Sequence, residues 1–310
     1  MTTVQTPQKT SRRDIHQQVT DTIIQQLEAG TVPWHKPWKQ GGSTNRNKNF
    51  TPNYTLPRNF TTGNRYKGVN ILLLWGSADK QQFGSNQWAS FKQWQAKEEA
   101  VRKGEKGTMI VYYDTIIREI DGEEKKIPFI KSSVVFNREQ LASFEQQEGE
   151  PETPIPNLVE RVEHVHEFIE NTKAVIEHIE PRAYYSRTFD KINMPPPELF
   201  VGTPTCTPTE AYYSTLLHEL THWSGSPQRL DRTKGKRFGD DKYAAEELVA
   251  ELGAAFLCAE LQITLEEKGD HAAYIDHWLK VLKEDKHCLF TAASGASKAV
   301  DYLQGLQPTG

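Results

Sequence analysis

The chain has 310 residues, 36% of them hydrophobic, with 37 Lys and Arg against 41 Asp and Glu and three cysteines. That length predicts two domains, each with its own core; the longest apolar run, residues 69–75, is too short to cross a bilayer, and residues 1–9 carry no hydrophobic region of a signal peptide. Cys206, Cys258 and Cys288 are an odd, scattered set, which argues against a disulfide framework and predicts reduced thiols in a cytoplasm.

In chain order, Val19, Ile23, Ile24 and Leu27 keep helical spacing over residues 15–29, and Gly30 stops that helix. From 29 to 78 there is no Asp or Glu. Lys36, Lys39, Arg46, Lys48, Arg58, Arg65 and Lys67 alternate there with Trp34, Trp38, Phe50, Tyr54, Phe60, Tyr66 and Trp75. Cations that follow a phosphate backbone, interleaved with flat rings on which unpaired bases stack, are the two components of single-strand binding. Core packing is the competing role for the rings. Trp75 suits it, and Trp34 and Trp38 in Val-Pro-Trp-His-Lys-Pro-Trp would serve as packing anchors. Helices are predicted at 69–80 and 86–101. Arg102-Lys103-Gly104-Glu105-Lys106-Gly107 then reads as a basic, glycine-punctuated turn able to grip phosphate through its N–H groups. Strands follow at 109–117, 126–130 and 132–137, with Asp121-Gly122 as the hairpin turn of the first two.

Charge changes sign along the chain: residues 1–145 hold 21 Lys and Arg against 14 Asp and Glu, and the remainder 16 against 27. The two halves therefore face different partners. The acidic, proline-containing stretch 145–156 reads as an exposed linker, so the expected organisation is a domain over 1–145, a linker over 146–156 and a domain over 157–310.

The second half opens with a predicted helix at 158–179 and strand character at 183–189. Residues 191–197 then run extended toward the next helix, as the exposed edge to which a peptide can pair. That next helix starts at Thr207-Pro208-Thr209-Glu210, with Thr207 or Thr209 as cap; Tyr213, Leu216, Leu217 and Leu220 keep its spacing, and Trp223-Ser224-Gly225-Ser226-Pro227 ends it. It contains His218-Glu219-Leu220-Thr221-His222. Imidazoles four residues apart lie on one helical face and reach a single metal ion, while Glu219 is placed as general base toward the water that ion holds.

A catalytic zinc takes a third protein ligand. The helix predicted over 243–261 is rich in alanine and apolar residues, and two of its acids, Glu247 and Glu251, share a face at i and i+4. We assign Glu247 as the third ligand and Glu251 as the carboxylate that receives a ring N–H from a ligating histidine; the exchanged assignment uses the same face and stays open. Glu246, off that face, is expected to be solvated or paired with a lysine. Zn²⁺ is the default ion and Mn²⁺ the alternative. Tyr213 and Tyr243 lie near elements that could furnish a transition-state donor, with core packing as their ordinary role, and His271, His277 and His287 read as structural or surface residues.

Together these segments resemble the family of the plasmid antirestriction protein ArdC and the N-terminal region of TraC-type plasmid primases. The matching stretches are Val32 to Trp38, Pro57-Arg58-Asn59, Gly63 to Asn70, Val101 to Gly107, Val135-Phe136-Asn137, the HELTH pentad with Trp223 and Gly225, Arg229-Leu230-Asp231-Arg232, and Glu246 to Glu251. Residues 50–56 look like an insertion relative to that pattern, leaving Tyr54 without a matched role. The resemblance implies an α+β chain: an N-terminal mixed α/β domain that binds single-stranded DNA, and a C-terminal zincin-like metallopeptidase domain. It also implies protection of conjugating DNA from restriction, with a protein substrate or host restriction component as a further partner and no membrane. For DNA the candidates are Trp34, Lys36, Trp38, Arg58, Arg65, Tyr66, Lys67, Arg102, Lys103 and Lys106.

Overall fold

Asp14 accepts the N–H groups of His16 and Gln17, and the helix it caps, α1 (Ile15–Glu28), buries Val19, Ile23, Ile24 and Leu27 on one side. The computed structural model describes residues 14–29, 32, 34, 55–120, 123–144, 158–201, 206–232, 241–263 and 271–308. The expected linker, the turn Asp121-Gly122 and residues 35–54, with Lys36 and Trp38, lie outside them. α2 (Val69–Gln81) stands where the sequence places it and ends on Gln82, which takes a left-handed φ of 55°.

The helix expected over 86–101 is mostly replaced by β2 (Gln87–Ser90) and the short α3 (Phe91–Gln95). Trp88 and Ala89 are buried in register with Asn137 and Phe136, so sheet pairing overrides a locally helical pattern. Ser90 then forms a capping box with Gln93, which starts the helix where the strand stops. β3 (Thr108–Ile120) pairs antiparallel along its whole length with residues 123–135 of β4 (Glu123–Asn137), which makes one strand of the two expected at 126–130 and 132–137. With β1 (Arg58–Asn59) parallel to β2, the sheet order is β1-β2-β4-β3.

In the second half α4 (Leu158–Thr172) stops earlier than predicted, because Thr172 Oγ1 donates to the Ile169 carbonyl at 2.6 Å and Lys173 adopts a φ of 60°. The chain turns there into β5 (Val175–Glu177). β6 (Tyr184–Ser186) and β7 (Lys191–Asn193) complete a second sheet of order β5-β7-β6, parallel between β5 and β7 and antiparallel between β6 and β7. The strand expected to be an exposed edge is therefore the central one. Its hydrogen-bonding sides are both taken, and the outer edges belong to β5 and β6.

α5 (Pro208–Ser224) is started by Thr207, not Thr209. The Thr207 hydroxyl accepts the Glu210 N–H at 3.2 Å and the Glu210 carboxylate accepts the Thr207 N–H at 3.1 Å, with Pro208 pre-set in the first turn. α6 (Asp241–Glu260), α7 (His271–Glu284) and α8 (Cys288–Gly305) follow. At Gly253 the backbone of α6 approaches the Thr221 side chain of α5 so closely that an added Cβ would lie 2.5 Å from Thr221 Cγ2.

One apolar core runs through both halves. Val19, Ile23 and Leu72 share it with Leu217, Leu220, Phe256, Trp278 and Leu303. Polar contacts fasten the same seam: Arg58 and Arg65 reach Glu260 at 3.0 and 3.2 Å, Arg65 and Lys67 reach Asp301 at 3.3 and 2.6 Å, and the Gly68 N–H donates to Ser297 Oγ at 2.8 Å.

Candidate metal centre and nucleic-acid surface

The helical spacing of His218 and His222 sets their rings on one face of α5, with centroids 4.9 Å apart, and the close approach of α6 brings a carboxylate between them. Glu247 Oε2 lies 3.5 Å from His218 Nε2, and its Oε1 lies 3.4 Å from His222 Nε2. One donor atom from each of the three residues lies within 4.8 Å of the others, and all three side chains are buried. Two imidazole nitrogens and a carboxylate oxygen, converging from two helices, form a donor set that fits a divalent ion. Glu219, also buried, sits between the histidines on α5.

Behind each histidine stands another acid of α6. Glu251 Oε1 is 3.5 Å from His218 Nδ1, a buried ring atom without a hydrogen bond of its own, while Glu246 Oε1 is 3.3 Å from His222 Nδ1. Glu246 is thus neither solvated nor lysine-paired. It is buried and held by Arg232, whose Nη2 and Nε lie 3.0 and 3.2 Å from its two oxygens. Burial opposes a charge on His222, but the Glu246 and Glu247 carboxylates outweigh it and raise the imidazole to about 9. Burial likewise works against ionising Glu247 and Glu246; the hydrogen bonds they accept, from His218 and His222 for the first and from His222 and Arg232 for the second, win and lower both carboxyls.

The Arg229-Leu230-Asp231-Arg232 segment divides its tasks. Arg229 lies over the Trp223 ring at 3.8 Å and pairs with Asp190; Asp231, with φ at 47°, turns the chain so that Arg232 points back at Glu246. Of the residues missed by sequence reasoning, Glu246 carried one signal, a third acid in a helix expected to be buried. Arg232 carried none beyond its motif. Tyr213 lines a cleft of about 540 Å³ with Tyr212, Leu216, His166 and His178, on the face of α5 turned away from the histidine pair. His287 lies against His16 with the rings tilted and their centroids 4.3 Å apart, and the side chains of His271 and His277 lie outside the described ones.

The candidate DNA residues do not form one free surface. Trp34 is 3% exposed and packs edge-on against Trp278 at 5.5 Å, a core position that leaves no face for a base. Arg58, Arg65 and Lys67 hold the acidic partners of the seam, and Tyr66 is half-buried against Leu74, Trp88 and Val135. Arg102 staples its own turn: it pairs with Glu105 at 2.8 Å and donates to the Leu141 and Glu139 carbonyls at 3.1 and 2.6 Å. Lys103 and Lys106 are exposed on either side of Gly104, which takes a φ of 91°.

Residues 13–136 match the N-terminal domain of the anti-restriction factor ArdC, and residues 163–295 match a zincin-like metallopeptidase family. The fold superposes on the metal-free crystal structure of antirestriction protein ArdC from plasmid R388 with a TM-score of 0.74, at 37% identity over 94% of this chain and 97% of that one. The Mn(II)-bound structure of that protein gives 0.72 at 36% identity over 94% and 98%. Protein y4eC of Sinorhizobium fredii is 36% identical over 99% of this chain and 96% of its own length. A DNA primase TraC of Escherichia coli is 36% identical over 94% of this chain, which spans 27% of that primase.

Proposed function

The chain belongs to the ArdC antirestriction family and carries its zincin-like domain, and from that premise we propose that it binds single-stranded DNA and protects incoming plasmid DNA from host restriction. The observation that carries the metal part of this reading is the convergence of His218 Nε2, His222 Nε2 and Glu247 in a buried site. Zn²⁺ is the default occupant and Mn²⁺ the alternative, the latter supported by the Mn(II)-bound relative. Such an ion supplies Lewis-acid activation of a water and of a substrate carbonyl. Glu219 then takes the water's proton and returns it to the leaving amine, Glu246 holds the His222 imidazole by Nδ1 while Glu251 faces Nδ1 of His218, and the buried surround limits solvent access. A protein substrate, with a host restriction component as one class, fits this chemistry. The three cysteines are buried, as suits thiols kept reduced in a cytoplasm, and no described helix is long and apolar enough to cross a membrane.

DNA binding rests on the family and on the exposed Lys103 and Lys106, which we assign to phosphate. A second reading, coverage of DNA with a structural or vestigial metal site, is favoured by the primase match, where the same two-domain unit is attached to a DNA enzyme. Glu219→Gln separates the two. It keeps the three ligands and removes the base, so loss of protection with metal and DNA binding intact supports catalysis. Retained protection supports coverage.

A further inference from the structure

We propose that Arg232 is a positioning residue of the metal centre: acting through Glu246, it fixes the ring direction and tautomer of His222 and so sets the affinity for the divalent ion. This rests on His218, His222 and Glu247 being the ligands. The Arg232 side chain is 12% exposed and does four things at once. Its Nη2 and Nε fork onto the two Glu246 oxygens, its Nη2 also donates to the Thr221 carbonyl at 2.5 Å, and its Nη1 donates to Ser224 Oγ at 2.9 Å. One planar group thereby ties the last turn of α5, which bears His222, to the α6 carboxylate that faces His222 Nδ1.

The chemistry selects this arrangement. A lone carboxylate can rotate, and its preferred oxygen drifts with it; a bidentate guanidinium locks the carboxylate plane. With Oε1 of Glu246 fixed opposite Nδ1, that nitrogen keeps its proton and donates, which leaves Nε2, on the side of Glu247, as the atom that offers a lone pair to the ion. Space for the fork is provided by Gly225, where an added Cβ would lie 2.7 Å from Arg232 Nη2 and 2.8 Å from its Cζ. Lysine, a point charge without the fork, cannot reproduce the lock.

The test is calorimetric titration of the full-length chain with Mn²⁺, alongside thermal melts, for the unmodified protein and for Arg232→Ala, Arg232→Lys, Glu246→Gln and the Arg232→Ala/Glu246→Gln double variant. Arg232→Ala and Glu246→Gln are each expected to weaken Mn²⁺ binding by roughly 10–100-fold, with Arg232→Lys failing to restore it. Because Arg232 acts through Glu246, the double variant should bind no more weakly than the weaker single variant. Losses that multiply in the double variant would mean that Arg232 serves only the helix end, and unchanged affinity in Arg232→Ala would remove its role altogether. Should Arg232→Ala not fold, Gly225→Ala takes its place. Gly225 has an ordinary φ of −88°, so alanine there displaces the guanidinium without straining the backbone, and unaltered Mn²⁺ affinity would overturn the proposal. Failure of the ligand assignment looks different: His222→Ala would then bind Mn²⁺ as the unmodified chain does.

Discussion

A buried carboxylate flanked by two imidazoles is costly unless something cationic joins them, and without an ion the raised affinity of His222 for a second ring proton supplies that charge. Metal uptake must displace that proton. We therefore expect about one proton released per ion bound near pH 7.5, measurable by titration in buffers of different ionisation enthalpy, and an affinity that rises with pH until about 9. Absence of proton release would contradict the His222 assignment. The sign for stability runs the other way in chelated protein. A folded-state value raised from 6.5 to about 9 stabilises fully below 6.5 and is lost as pH climbs through 9, so the melting temperature of the metal-free chain should fall across that window. His222→Ala and Glu247→Ala should abolish binding, whereas Glu251→Ala should weaken it by roughly 10–100-fold, the mark of an outer carboxylate. Equal loss in both glutamate variants would reopen which of them ligates.

At the scale of elements, the site exists because two helices touch. Thr221 is β-branched and fully buried, so it cannot swing aside, and only a residue without a Cβ fits opposite it at Gly253. Gly253→Ala should push α6 away from α5, with an overpacking cost of about 1–3 kcal/mol seen in the melt. It should also cost metal affinity, since Glu247 is carried on the displaced helix. Normal Mn²⁺ affinity with normal stability in that variant would show the close approach to be unimportant. The strand order makes a similar point, because β7 leads toward α5 yet is enclosed by β5 and β6. Any extended peptide that pairs with this sheet must use an outer strand.

Across the whole molecule, the N-terminal helices complete the core shared with α5 and α6, and α6 ends in Glu260, which grips Arg58 and Arg65. A fragment ending near residue 145 would expose Val19, Ile23 and Leu72, so we expect it to be less stable and more prone to associate than the full chain. Single-strand binding is therefore best measured on the intact protein. Lys103→Glu and Lys106→Glu should weaken it and reduce the log–log salt slope by roughly 0.7 for each phosphate that is no longer neutralised. Arg65→Ala should act mainly on melting temperature, because its charge is committed to Glu260 and Asp301. The reverse outcome, a flattened slope for Arg65→Ala and none for the two lysines, would move the DNA path onto the seam.

What the chain determines by itself is whatever is periodic or local. The HExxH pentad, the Thr207 box with its proline, the apolar face of α1 and the pairing of Glu247 with Glu251 on one face all follow from spacings of three to seven residues. The strand at Trp88, the enclosure of β7, the burial of Trp34 against Trp278 and the pairing of Arg58, Arg65 and Lys67 with Glu260 and Asp301 were decided only by tertiary structure. The acid-free basic segment looks like an open cationic surface because its counter-charges are about two hundred residues away. Glu246 is the sharpest case. Its place in a helix expected to be buried is the one local sign against a solvated acid, and its role is set by an arginine and a histidine that only the packing of α5 on α6 brings within hydrogen-bonding distance.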